Sequence, residues 1–147
     1  MKKITLAKIQ EKIVTYQVIV MMSFVFGVLG FVYNNWRYEH NESNNNVRIA
    51  SFQMMQELAT LEQNIYANHY DKDLTKGNPR DGWVKVGLID DLSIFISDDS
   101  KAAAEQMKST WTEQWAKIAD DQNVTDTLVK EIDAIRTATR EVLEELY

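Results

Sequence analysis

The sequence predicts an all-α protein with one N-terminal transmembrane helix followed by an antiparallel extramembrane domain of four helices. Three observations predict it. Residues 13–33 form an uncharged run of 21 residues, apolar side chains in the remainder recur at spacings of three and four, and no long alternating strand pattern competes. The chain divides on this basis into residues 1–12 as a cytoplasmic N-terminus, 13–33 as the span, 34–46 as a polar linker and 47–147 as the helical domain.

The run IVTYQVIVMMSFVFGVLGFVY carries only Thr15, Gln17, Ser23 and two tyrosine hydroxyls as polar groups. At 1.5 Å per residue it reaches roughly 30 Å, the thickness of a bilayer's hydrocarbon core. From Val18 to Tyr33 it offers no polar face to water, which argues against a core helix of a soluble protein. Four lysines (Lys2, Lys3, Lys8, Lys12) precede it, and Arg37 is the only arginine or lysine in the ten that follow. That bias puts the N-terminus in the cytoplasm and the domain outside, in the periplasm if the source is a Gram-negative bacterium. Tyr33, Trp36 and Tyr38 stand where amphipathic rings favour the headgroup layer, so they are expected as membrane-interface anchors. A signal anchor is expected rather than a cleaved signal peptide, because the charged lead-in is long and no Ala-x-Ala-like site follows. Ser23, Gly27 and Gly30 share one helical face, and small residues there allow a second transmembrane helix to approach.

Residues 1–33 carry +3 and residues 34–147 carry −9, which make up the net −6 of the chain. An acidic domain lacks the basic stripe that neutralises phosphates, so nucleic acid is excluded as a partner. With no cysteine, disulfides, thiolate metal sites and cysteine nucleophiles are excluded as well.

The run Glu39–Asn46 is rich in turn formers and reads as a linker. From Val47, residues Val47, Met54 and Leu61 repeat every seven, with Ser51, Leu58 and Ile65 alongside, which predicts a helix ending near His69 or Tyr70. The next segment opens in KGNPRDGWVKVGLIDDL, residues 76–92. There Asn78 suits an N-cap, Pro79 the first helical position, and Asp81 the positive end of the dipole. Its expected core face is Trp83, Val84, Leu88, Leu92 and Phe95, closed by Ile96. Pairing of Val84–Val86 with Ile94–Ile96 as a short hairpin is the alternative. A third helix follows Ser97 and Asp98 as caps, with Met107, Trp111, Trp115 and Ile118 on one stripe. The last begins near Val124 or Thr125 and carries Leu128, Ile132, Ile135, Thr139, Val142 and Leu146.

Few residues suggest chemistry. His69 with Asp71, Asp73 and Asp81, and His40 with Glu39 and Glu42, are the acid-histidine groupings. Neither has the Glu-x-x-His or His-x-x-x-His spacing that aims ligands from one helical face, so no metal or cofactor is expected. No catalytic triad spacing or phosphate-binding glycine loop occurs, so catalysis is not expected. Trp83, Trp111 and Trp115 could cage a ligand, but helical spacing favours a core role. Asn41-Glu42-Ser43 and Asn123-Val124-Thr125 match a glycosylation acceptor pattern that is common by chance. Gly82 and Gly87 each cost about 1 kcal/mol inside a helix relative to alanine. They single out Arg80, Gly82, Trp83 and Gly87 as a corner expected to contact a partner.

The expected function is that of a membrane-anchored interaction or scaffold protein that binds another membrane or envelope protein, or a second copy of itself. The alternative is an extracytoplasmic ligand sensor acting through a separate signalling partner. The domain broadly resembles the extracytoplasmic four-helix domains of bacterial chemoreceptors and sensor kinases, in class and through no motif.

Overall fold

A computed structural model describes residues 2–146, with side chains described from Ile9 onward except at residue 40. The side chains of Lys2, Lys3, Lys8 and His40 thus lie outside the described residues. The described chain is helical, with no strand among its residues. In order it forms α1 (Lys2–His69), α2 (Pro79–Ser93), α3 (Asp98–Gln114), a 3-10 turn at Trp115–Lys117 and α4 (Gln122–Glu145). Two compact units divide the chain, the first ending at Ser43 and the second beginning at Asn44.

Within the first unit, α1 is the one helix among the described residues long and apolar enough to cross a membrane. Its side chains from Ile9 to Tyr38 are exposed, including Phe24, Phe31 and the rings of Tyr33, Trp36 and Tyr38. The polar run expected as a linker is helical instead. Asn35 donates to Glu39 Oε1 one turn later (3.0 Å), and an i,i+4 pair of this kind supports a helix that buries nothing. Turn-forming composition alone does not break a helix whose neighbouring turns on both sides are already formed, because adding a residue costs far less than nucleating.

In the second unit one hydrophobic core draws on four helices. Residues 50–65 of α1 supply Ala50, Met54, Leu58, Leu61 and Ile65; α2 supplies Val86 and Ile89; α3 supplies Ala104, Met107 and Trp111; α4 supplies Val124, Leu128, Ile132 and Ile135. Helix α3 packs against both α2 and α4. The stripes expected on α1 and α4 are buried at Ser51, Met54, Leu58, Leu61 and Ile65 and at Leu128, Ile132, Ile135 and Thr139, and half-buried at their ends, Val47, Val142 and Leu146; α4 begins two residues earlier than its pattern, because Asp121 caps it by accepting from Asn123 N–H.

The expected face of α2 is corrected. Val84 and Phe95 are 71% and 66% exposed and Trp83 is half-exposed, while Gly82, Val86, Ile89 and Ser93 point inward. Apolarity was the misleading signal: Trp111 occupies so much of the space beneath α2 that only a glycine fits against it. No hairpin forms, since Val84–Val86 lies inside α2, and Phe95 and Ile96 N–H donate to Leu92 and Ser93 carbonyls in a helical turn. Trp115 also leaves the expected stripe. Helix α3 ends at Gln114, Trp115 is exposed, and the inward positions are Ser100, Ala104, Met107 and Trp111. Ser97 caps α3 as its sequence suggests, accepting from Ser100 N–H.

Candidate functional site

The connection from α1 to α2 is built by three residues that close on one another. Gly77 is buried, and a Cβ there would stand 2.3 Å from the backbone nitrogen of Asn68 and 2.8 Å from the carbonyl carbon of Ala67, so the chain crosses directly against α1. Asn68 Nδ2 donates to Gly77 O (2.7 Å), and Asn64 Nδ2 donates to Lys76 O (2.9 Å) and Asn78 O (3.1 Å). Buried carbonyls of a loop need such donors. Asn78 caps α2 by accepting from Arg80 N–H (3.0 Å), with Pro79 at its first position, as the sequence suggested.

The turn is completed by Asp73, whose Oδ1 accepts from Thr75 N–H (2.8 Å) and Lys76 N–H (3.2 Å). Those two backbone donors hold its carboxyl below the usual carboxylate range.

Between α1 and α2 this connection leaves an open groove of about 870 Å³, lined among others by Glu57, Asn64, Tyr66, Lys76, Asp81 and Lys85. A Lys85–Glu57 ion pair (3.5 Å) joins its two helices. Asp71, Lys76 and Asp81 leave charges of both signs exposed in the lining. Burial and the neighbouring Glu62, to which the phenol donates (3.0 Å), push the Tyr66 hydroxyl up, so it stays protonated and serves as a donor. Thr60 Oγ1 donates to the Gln56 and Glu57 carbonyls of its own helix (3.0 Å each) and lies 3.4 Å from Glu57 Oε2. The groove can hold a polar molecule, with hydroxyl, carboxylate, ammonium and carboxamide groups in its lining.

Of the corner residues, Arg80, Trp83 and Gly87 fall at spacings of three and four along α2, while Gly82 points the other way, into the core. A Cβ at Gly82 would meet Trp111 at 2.3 Å, whereas nothing lies within 4 Å of one at Gly87. Trp83 stands edge-on to Trp111 with ring centroids 6.4 Å apart. The two rings therefore pack together, with Trp111 fully buried and Trp83 forming its outer cover.

His69 proves to be a joint. Its Nδ1–H donates to Ile118 O (2.6 Å) and its Nε2 lies 2.9 Å from Gln122 Oε1, tying the end of α1 to the start of α4. Gln122 Nε2 in turn donates to Tyr70 OH (2.9 Å) and Asp126 Oδ1 (2.7 Å). Both histidine nitrogens are engaged and Asp73 is committed to its turn, so the two are spent on structure. No group of three or more histidine, cysteine or acidic side chains able to hold a metal ion occurs among the described residues. Arg136 is a second joint, donating to Glu62 Oε2 (2.7 Å) and bonded to Asp133; the Glu62 carboxylate raises the guanidinium further above its usual range. These joints are not legible in the sequence, because asparagines, a glycine and an arginine carry no pattern of their own until the chain folds back.

On the first unit, Ser23 Oγ donates to Ile19 O (2.9 Å), so that hydroxyl is satisfied within its helix, and Gly27 and Gly30 have open space around them. Tyr33 and Trp36 rings lie 6.3 Å apart, tilted, with Tyr38 exposed beyond them. Comparison with protein families, with curated proteins and with solved structures finds no match for this chain.

Proposed function

We propose that the chain is a single-span membrane protein whose acidic helical domain binds another membrane or envelope protein and catalyses no reaction. The observation that carries this is α1, which exposes an uninterrupted apolar surface followed at once by tyrosine and tryptophan rings. The lysine bias favours a signal anchor with the N-terminus in the cytoplasm and the domain beyond the membrane. An antiparallel four-helix arrangement of residues 47–147 is supported by short connections, by the packing of α3 between α2 and α4, and by the joints from α1 to both neighbours.

The test is crosslinking in intact membranes followed by purification of the full chain. A stoichiometric second protein is the expected result, and a chain recovered alone from every crosslinking condition overturns the proposal. A sensor of small molecules is the second reading, favoured by the groove between α1 and α2 and its charges of both signs. It predicts that polar metabolites raise the thermal stability of the domain, whereas a protein-binding surface leaves stability unchanged by them.

A further inference from the structure

Residues of α1 recur on one face at alternating spacings of four and three: Ile13, Gln17, Val20, Phe24, Gly27, Phe31 and Asn34, then Tyr38 and Asn41. This is the seam spacing of a two-stranded coiled coil, kept over four heptads with no charged residue on it. Two features of the seam say what covers it. Gln17 lies inside the apolar run, and its carboxamide has no hydrogen-bond partner among the described residues. If residues 13–33 span a bilayer, the hydrocarbon offers that carboxamide no partner, and a donor and acceptor from another helix would satisfy it. A carboxamide is its own complement, and in a parallel pair related by a two-fold axis each seam residue meets its own copy.

The second feature is charge. With Asn34 and Asn41 on the seam, Arg37 and Glu42 fall on its two flanks five residues apart, the separation at which flanking residues of parallel helices meet across the seam. Both are exposed and neither has an ion-pair partner among the described residues. Antiparallel pairing would separate them. Gly27 on the seam, flanked by Ser23 and Gly30, removes side-chain bulk near the middle, where two backbones must approach.

We propose that two copies of the chain pair in parallel along this face of α1, with Gln17 hydrogen-bonded to Gln17 of the second copy and Arg37 of each paired with Glu42 of the other. The pairing rests on the membrane-spanning reading of residues 13–33. It accounts for a helix that runs through Asn34–Ser43 while every side chain described there is exposed, since the second helix supplies the missing contacts.

The chain has no cysteine, so single cysteines report proximity directly. In the full-length protein in native membranes, Asn41→Cys lies on the seam and within disulfide reach of its copy, while Ser43→Cys lies on the far side. Oxidation is expected to give a disulfide dimer from the first and monomer from the second. Arg37→Glu or Glu42→Arg in the Asn41→Cys background is expected to lower the dimer yield about three- to tenfold, with recovery in the double exchange. Equal crosslinking at positions 41 and 43, crosslinks from position 41 to a protein of another mass, or no recovery in the double exchange overturns the proposal. Extraction with alkaline carbonate separates the two readings: a chain that resists extraction without seam-specific crosslinks loses the dimer and keeps the span, and a chain that is extracted loses both.

Discussion

A methyl group at position 82 would stand 2.3 Å and 2.4 Å from the indole of Trp111, which is itself fully buried, whereas at position 87 nothing lies within 4 Å. Trp111 cannot turn aside without moving α2 or α3, so Gly82→Ala is expected to destabilise by about 1–3 kcal/mol, the cost of overpacking a filled core. Gly87→Ala should stabilise by about 0.5–1 kcal/mol through helix propensity and a stiffer unfolded chain. Urea unfolding of each variant checks both, and a shared sign would defeat the distinction. Asp73 gives a pH-dependent residue. Thr75 and Lys76 N–H groups lower its folded pKa, so its stabilisation of the turn is fully present above the ordinary carboxylate range near about pH 4 and is lost as pH falls through the lowered value. Amide exchange at Thr75 and Lys76, corrected for intrinsic rates, should accelerate on acidification. Asp73→Asn, which keeps an acceptor oxygen and cannot titrate, should flatten that response.

The elements were legible in the sequence to the degree that burial and apolarity coincide. On α1 and α4 they do: Met54, Leu58, Leu61 and Ile65, like Leu128, Ile132 and Ile135, are fully buried at the spacings that announce them. On α2 they part, because the neighbour is a tryptophan. Gly82 and Ser93 take inward positions and Val84 is left in solvent, an outcome decided by the volume of a residue on another helix. The α1–α2 connection was half legible. Its cap, Asn78-Pro79, is a local signal, but the clamp of Asn64 and Asn68 on carbonyls up to 14 residues away is tertiary and leaves no local trace. Removing the clamp should be expensive. Asn64→Ala strands two loop carbonyls, and a loss of about 1–3 kcal/mol is expected on thermal or urea unfolding, with α2 exchanging its amides ahead of α4. Uniform loss across all helices would mean that Asn64 acts on the core as a whole.

For the whole molecule the decisive feature is that the apolar face of α1 from Ile9 to Tyr33 is exposed, covered by nothing among the described residues. Exposed apolar surface of that extent is incompatible with a dispersed monomer in water. A partner helix alone would cover one side of it, and the bilayer of the proposed reading would cover it all round. The partner proposed for the acidic domain has no such signature, because complementarity is recorded on two surfaces and this chain carries one. The span is therefore tested apart from any partner. Val25 lies near the middle of the run and off the seam that carries Gln17 and Phe24, so a charge there bears on insertion and leaves the seam residues unchanged. An arginine at the centre of a spanning helix costs about 2.5–3.5 kcal/mol on insertion. Val25→Arg is thus expected to move a large share of the chain from the carbonate-resistant to the extractable fraction, whereas Phe52→Arg, at an exposed position of the second unit, should leave the distribution unchanged. Equal extraction of both variants would place residues 13–33 outside the bilayer. The apolar face of α1 would then have to be covered by protein.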